Sequence, residues 1–221
     1  MVVLATKIYV RGAARERALE SLTSLVENVV GELDIEIEYG IRHDDFPTVT
    51  ISGPDEVVAR AALGEAWGTV TSPLEDGETY VGTLEQWDED GWHLDAGEIV
   101  SIPPEGLELG VGTPVQLVER FGLVQHQRLR FVAGDSPRLA SDTVDMLFDW
   151  QRGPGRVTVN SATRAEVRAT VNRAGHAEDI VTIDRLGLLE HSVICRKGTD
   201  PPGLLAAIGK YLPGEMRCVM P

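Results

Sequence analysis

Residues 152–221 read RGPGRVTVNSATRAEVRATVNRAGHAEDIVTIDRLGLLEHSVICRKGTDPPGLLAAIGKYLPGEMRCVMP. RVTVN is short, β-branched and strand-forming. Ser161 is placed to cap a helix that runs to Arg173 and stops at Gly175. EDIVTIDR and LEHSVICRK read as strands that turn near Gly187. Pro201-Pro202-Gly203 opens a second helix, LLAAIGKYL, which Pro213-Gly214 ends, and EMRCVM is a last strand. The order βαββαβ predicts an antiparallel four-stranded sheet with both helices on one face, a ferredoxin-like module.

Charge sets the same stretch apart. It holds 10 Lys+Arg against 7 Asp+Glu, whereas the other 151 residues hold 10 against 28. A near-neutral to basic module on a chain of net charge −15 points outward to a partner. Arg164 and Arg168 lie one helical turn apart, with Arg152 and Arg156 ahead of the same helix and Arg173 at its end. Guanidiniums in such a row would hold phosphate oxygens by forked bonds. The bland alternative is surface charge balancing Glu166 and Glu178.

Toward the N-terminus the period changes twice. In residues 1–68 a strand is expected over 2–10, then a helix from Ala13 to Val30 with apolar residues at helical spacing and a stop at Gly31. LDIEIEY (33–39) alternates strictly, so it is a strand with one wet carboxylate face, and FPTVTIS pairs with it. Pro54 suits a first helical turn, and that helix stops at Gly68. This is a βαββ(α) variant of the same ferredoxin-like plan. Residues 77–134 instead read as short strands broken by Asp90-Gly91 and Ala96-Gly97 turns, with TPVQLVERFG and LVQHQRLRFV as two more strands hinged near Gly122. About five short strands without a helix predict a small closed or half-open β-barrel of the oligonucleotide-binding or S1 kind. A helix capped by Ser141 or Asp142 joins it to the third module, which with that helix spans 141–221. The fold class is α+β in three modules.

The barrel contributes the aromatic residues Trp87 and Trp92 beside Arg120, which serve in such barrels as base platforms. Trp87 and Trp92 flanking one turn fit a cross-strand pair that merely packs equally well. The third module has no aromatic on its first or third strand, so it is not a standard RNA-recognition motif. Five histidines stand without metal-ligand spacing, Cys195 and Cys218 fall on strands expected to be separated, and no serine or cysteine sits in a nucleophile motif. No cofactor, no metal and no catalytic residue is therefore expected.

No window approaches 18 consecutive apolar residues, and MVVLATKIYVRG lacks the pattern of a secretory leader, so a cytoplasmic protein is expected. The chain has 35 acids, 17 Arg and only three Lys. Acids spread over the first 150 residues rather than bunched in one run, with little lysine, suit a salt-rich cytoplasm better than one acidic binding face.

Two family resemblances bear on function. TDPPGLLAAIGKYL, with Asp200, Pro202, Gly203 and Leu204, resembles the opening of ACT domains. Those are small-molecule-sensing modules, but there the motif follows the first strand and here it follows the third. The blocks TVTISGPDEVVARAALGEAWG and DAGEIVSIPPEGLELGVGTPVQLVERFGL, with the overall length, resemble the archaeal family known as domain of unknown function 2110. That resemblance spans nearly the whole chain and implies an archaeal source; with the charge profile it implies a halophile. The expectation is a non-enzymatic RNA-binding or ribosome-associated protein, with an ACT-like small-molecule sensor or a protein-assembly module as alternatives.

Overall fold

A computed structural model describes residues 1–220. It is a mixed α+β chain built on three antiparallel sheets. The first sheet has strands β1 (Val2–Val3), β2 (Glu36–Ile41) and β3 (Pro47–Ser52) in the order β1-β3-β2. Helices α1 (Ala13–Val30) and α2 (Glu56–Trp67) complete the module. Ala18, Leu22, Val26 and Val30 recur every four residues and form the buried stripe of α1. The N-terminal strand is far shorter than the expected 2–10. Beyond Val3 the chain stays buried but turns its polar groups toward the other modules, and only Leu4 still forms a bridge, to Thr69.

The middle sheet corrects the barrel expectation. Strands β4 (Thr79–Trp87), β5 (Trp92–Asp95), β6 (Ile99–Ile102), β7 (Arg128–Val132) and β8 (Arg138–Leu139) form an open sheet in the order β6-β5-β4-β7-β8. β6 and β8 are unpaired edges, so the sheet does not close among the described residues. The Asp90-Gly91 hairpin forms as expected, with Trp87 opposite Trp92. The strand expected over TPVQLVERFG is instead a helix. After α3 (Pro104–Leu107), α4 runs Pro114–Phe121. Thr113 Oγ1 accepts from Gln116 N–H while the Gln116 side chain accepts from Thr113 N–H, Pro114 occupies the first turn, and Leu117, Val118 and Phe121 face the core. This capping box and helical apolar spacing outweigh the strand propensity of the valines. Gly122 is the left-handed cap of α4 rather than a hinge between strands, at φ 65°. Helix α5 (Ser141–Arg152) buries Leu147 and Trp150 in the core of this middle sheet.

The third module has strands β9 (Arg156–Val159), β10 (Ile180–Arg185), β11 (His191–Cys195) and β12 (Met216–Val219) in the order β10-β11-β9-β12. Helices α6 (Arg164–Arg173) and α7 (Pro201–Gly209) supply Val167, Val171, Leu204 and Ile208 to one core with Val157, Val159, Val193 and Cys195. Those strand residues alternate with Arg156, Thr158 and Ser192, so both helices cover one face. The cap of α6 is Thr163 rather than the expected Ser161. Thr163 and Glu166 form the reciprocal capping box that their three-residue spacing allows. β9 lies between β11 and β12 and so separates Cys195 from Cys218, both free thiols.

The modules are not beads on a string. The β10–β11 turn places Leu188 and Leu189 in the core of the first module. The second face of the third sheet lies against α4 and α5. Thr158 Oγ1 donates to the Gly122 carbonyl, and the Arg156 guanidinium stacks on Trp150, 4.4 Å from the ring centre. A Cβ on Gly122 would come 2.7 Å from Val219 Cγ2, so that approach needs glycine for space as well as for its positive φ.

Candidate nucleic-acid interface

The predicted arginine row divides. Arg156 is 9% exposed; it donates to Ser192 Oγ at 3.2 Å and stacks on Trp150. Burial holds its guanidinium down to about 10, so it serves the interface with the middle module and no phosphate can reach it. Arg152 is exposed, but it pairs with Asp149 at 3.3 Å one turn back on α5 and lies over Phe148. Neither continues the row.

Arg164 and Arg168 do stay together on α6. They line a groove of about 550 Å³ between the start of α6 and helix α1, with Arg17 on the opposite wall. Arg185, at the end of β10, joins them although the sequence reading did not select it. Its signal was its register: position 185 pairs with His191, next to the α6 start. Arg164 is held by Nε donating to the Ile183 carbonyl at 2.8 Å, which leaves its terminal nitrogens for a ligand. Burial and then the Arg164 charge lower the Arg185 pKa, as expected of two cations crowded together. Glu166 is not free to neutralise them. It takes the Thr163 cap and the Arg17 ion pair at 2.7 Å, and although burial opposes ionisation, these contacts keep it below the usual carboxylate range. Arg173 sits at the other end of α6, where it and Lys210 flank the Tyr211 ring at 5.7 and 4.9 Å. Tyr211 is 43% exposed and adds an aromatic face that the sequence reading missed.

Ion pairing separates this module from the first. All five arginines of the first module, Arg11, Arg15, Arg17, Arg42 and Arg60, have a carboxylate within 4.0 Å. Among the described residues of the third, Arg164, Arg168, Arg173, Arg185, Arg196, Lys197 and Lys210 have none within that distance.

The aromatic platform expected of the middle module does not form. Trp92 is fully buried and donates Nε1–H to the Pro114 carbonyl at 3.1 Å. Trp87 is half-buried against the core under the Arg217 guanidinium. Arg120 is exposed on α4 but stands apart from the α1/α6 groove. At the start of α7, Asp200 Oδ2 accepts from Gly203 N–H at 3.1 Å and Leu204 is buried, which are the duties of a helix cap and a core residue. Pro202 and Gly203 are exposed. Asp200 also borders a surface pocket of about 620 Å³ with Arg152 and Lys197.

A buried polar junction ties the three modules and was not legible in the sequence. Tyr9 Oη donates to Glu190 Oε1 at 2.6 Å and accepts from Ser161 N–H at 2.9 Å. The Tyr9 ring stacks on His126 at 3.8 Å. Lys7 Nζ lies 2.7 Å from Asp95 and 3.1 Å from Glu85. Burial raises Glu85, but hydrogen bonds from His126 and Thr83 and the charges of His126 and Lys7 overcome it, and Glu85 falls to about 2. Glu190 is wholly buried; burial outweighs the Tyr9 bond and the Arg128 charge, and its carboxyl is pushed up to about 8. His191 is fully buried, with no hydrogen-bond partner at either ring nitrogen, and burial holds it down to about 3. Lys7, Glu190 and His191 are buried, and Tyr9, Glu85, Asp95 and His126 are half-buried.

The architecture is thus that of a three-module α+β protein whose third module meets the first at a groove where Glu20 and Glu166 stand among the cations, Arg17 pairs with Glu166, and Arg164, Arg168 and Arg185 have no carboxylate within 4.0 Å among the described residues. Family profiles for the DUF2110 N-terminal, central and C-terminal domains match residues 1–73, 74–151 and 154–220, so the chain belongs to this family of unknown function. No curated protein matches the chain. Among the described residues no helix is long and apolar enough to cross a membrane.

Proposed function

We propose that the chain binds RNA without catalysing a reaction, through the groove between α1 and α6. One observation carries this reading: in a chain with 35 acids, Arg164, Arg168 and Arg185 line one groove and none has a carboxylate within 4.0 Å among the described residues. Charged groups so placed gain most from an anion that supplies the missing partner. Single-stranded RNA suits this helical side better than a rigid duplex, because Tyr211, beside Arg173 and Lys210 at the far end of α6 from the groove, is exposed to an unpaired base. The sheet face that many βαββαβ readers present to RNA is covered here by α4 and α5, so contact falls on the helical side instead. We read both outer modules as ferredoxin-like. The strand order of the third is the one that plan requires, and the Leu4–Thr69 bridge in the first stands where its fourth strand would pair. The ACT-like reading at Asp200 ranks second, because that carboxylate is already committed to the α7 cap.

Filter binding of single-stranded RNA over a series of potassium chloride concentrations tests the proposal. Arg164→Glu with Arg168→Glu should weaken binding and flatten the salt slope by roughly 1.4, about 0.7 for each lost phosphate contact. Binding that survives both changes, or no binding at all, removes the reading.

A further inference from the structure

A second cavity, of about 680 Å³, opens where the three modules meet. Its volume falls in the range of small-molecule sites, about 300–1,000 Å³. Arg128 lines it, and Arg185 stands on its rim, shared with the α1/α6 groove. Arg128 spends one terminal nitrogen on the Trp67 carbonyl, at 2.6 Å, while its Nε is buried without a partner. Among the described residues neither Arg128 nor Arg185 has a carboxylate within 4.0 Å, whereas the third cation of the lining, Arg130, is paired with Asp142. The acid that bears on Arg128 is Glu190, which is engaged by Tyr9 and keeps its proton up to about pH 8, and the guanidinium lies over the Trp67 ring, 5.4 Å from its centre. A guanidinium drawn out of water without an acid is costly unless a counter-anion arrives.

The rest of the lining is divided. The hydroxyls of Thr69, Thr71 and Thr79 and the carboxylate of Glu65 share it with apolar Leu129, Met146 and Leu186. Two unpaired guanidiniums match a dianion better than a monoanion, and forked donors suit phosphate oxygens. We propose that this cavity binds an organic phosphate, its phosphate at Arg128 and Arg185 and its body on the apolar wall. The proposal shares Arg185 with the RNA reading but rests on Arg128, and Arg164 and Arg168, whose substitution tests that reading, lie outside this cavity. The same chemistry has two sources, a free nucleotide or the 5′-phosphate of an RNA.

Isothermal titration calorimetry on the full chain, with AMP, adenosine and inorganic phosphate as probes, tests it. AMP should bind, phosphate should bind more weakly and adenosine should give no heat. A short oligonucleotide with a 5′-phosphate that outbinds both AMP and its 5′-hydroxyl form would assign the site to an RNA end; AMP binding alone would assign it to a free nucleotide. Arg128→Met should weaken AMP at least about tenfold, the worth of one charge-assisted bond. Because Arg128 also holds the Trp67 carbonyl, Met146→Trp gives a second test: it fills the cavity from α5 and should abolish AMP binding with the fold intact by circular dichroism. No AMP binding, equal heats for AMP and adenosine, or AMP affinity unchanged by Met146→Trp would each overturn the proposal.

Discussion

Glu190 shows how far one side chain can depart from what its neighbours in sequence suggest. It stands at the start of the expected strand LEHSVICRK beside a turn, yet it is 0% exposed and retains its proton up to about pH 8 instead of the ordinary 4.5. Burial is the cause, because the ionised form would lie in a low-dielectric site with few donors. The ionised form therefore favours the unfolded chain. Stability from this group is full below about pH 4.5 and declines as pH climbs toward about 8. Glu190→Gln cannot ionise and keeps an acceptor for Tyr9. The variant's melting temperature minus the parent's should become more positive between about pH 5 and about pH 9. A difference that stays constant over that range would show that Glu190 is already ionised in the folded protein. His191, next in the chain, has an equally solvated look in sequence and is equally enclosed. Neither residue sits in a sequence pattern that signals burial, because the burial comes from the first and middle modules.

At the scale of elements, the β10–β11 turn has the largest consequence. It is short and sequence-local, yet Leu188 N–H donates to Thr6 Oγ1 at 3.0 Å and both leucines enter the first module's core. Leu188→Ala should cost about 2–5 kcal/mol, in the range of buried leucine truncations, and should destabilise the first module rather than the third. Hydrogen exchange read on α1 and on α6 measures this: faster exchange confined to α6 would contradict it. Most elements were legible. Eighteen residues at helical spacing defined α1, strict alternation placed β2, and the Asp-Gly pair placed the β4–β5 hairpin. The errors have specific causes. PVQLVERF was read for its valines when the Thr113–Gln116 capping box decided for helix. Ser161 and Thr163 can both cap a helix, and the Thr-x-x-Glu spacing of 163–166 decides for Thr163. Arg164 and Arg168 were correctly placed on one helical face by their four-residue spacing alone. Arg185 was missed because a strand end comes to a helix start through sheet register, which linear spacing does not encode.

The whole molecule combines a net charge of −15 with one basic groove. Repulsion among the acids opposes compactness and is relieved by salt. Raising potassium chloride from about 0.1 M to about 1 M shortens the Debye length from about 10 Å to about 3 Å, so the melting temperature should rise. A flat or falling curve would remove the case for a halophilic protein. From its residues alone the chain determined an α+β fold in three modules, most elements of the outer two and the concentration of cationic charge at the C-terminal end, because periodicity, caps and composition are local properties. Which arginines face solvent, which tryptophans are hidden and where the cavities open was decided only by tertiary structure. Those outcomes depend on how one module's surface is covered by another, and residues such as Tyr9 and Glu190, 181 positions apart, meet only once all three have packed together.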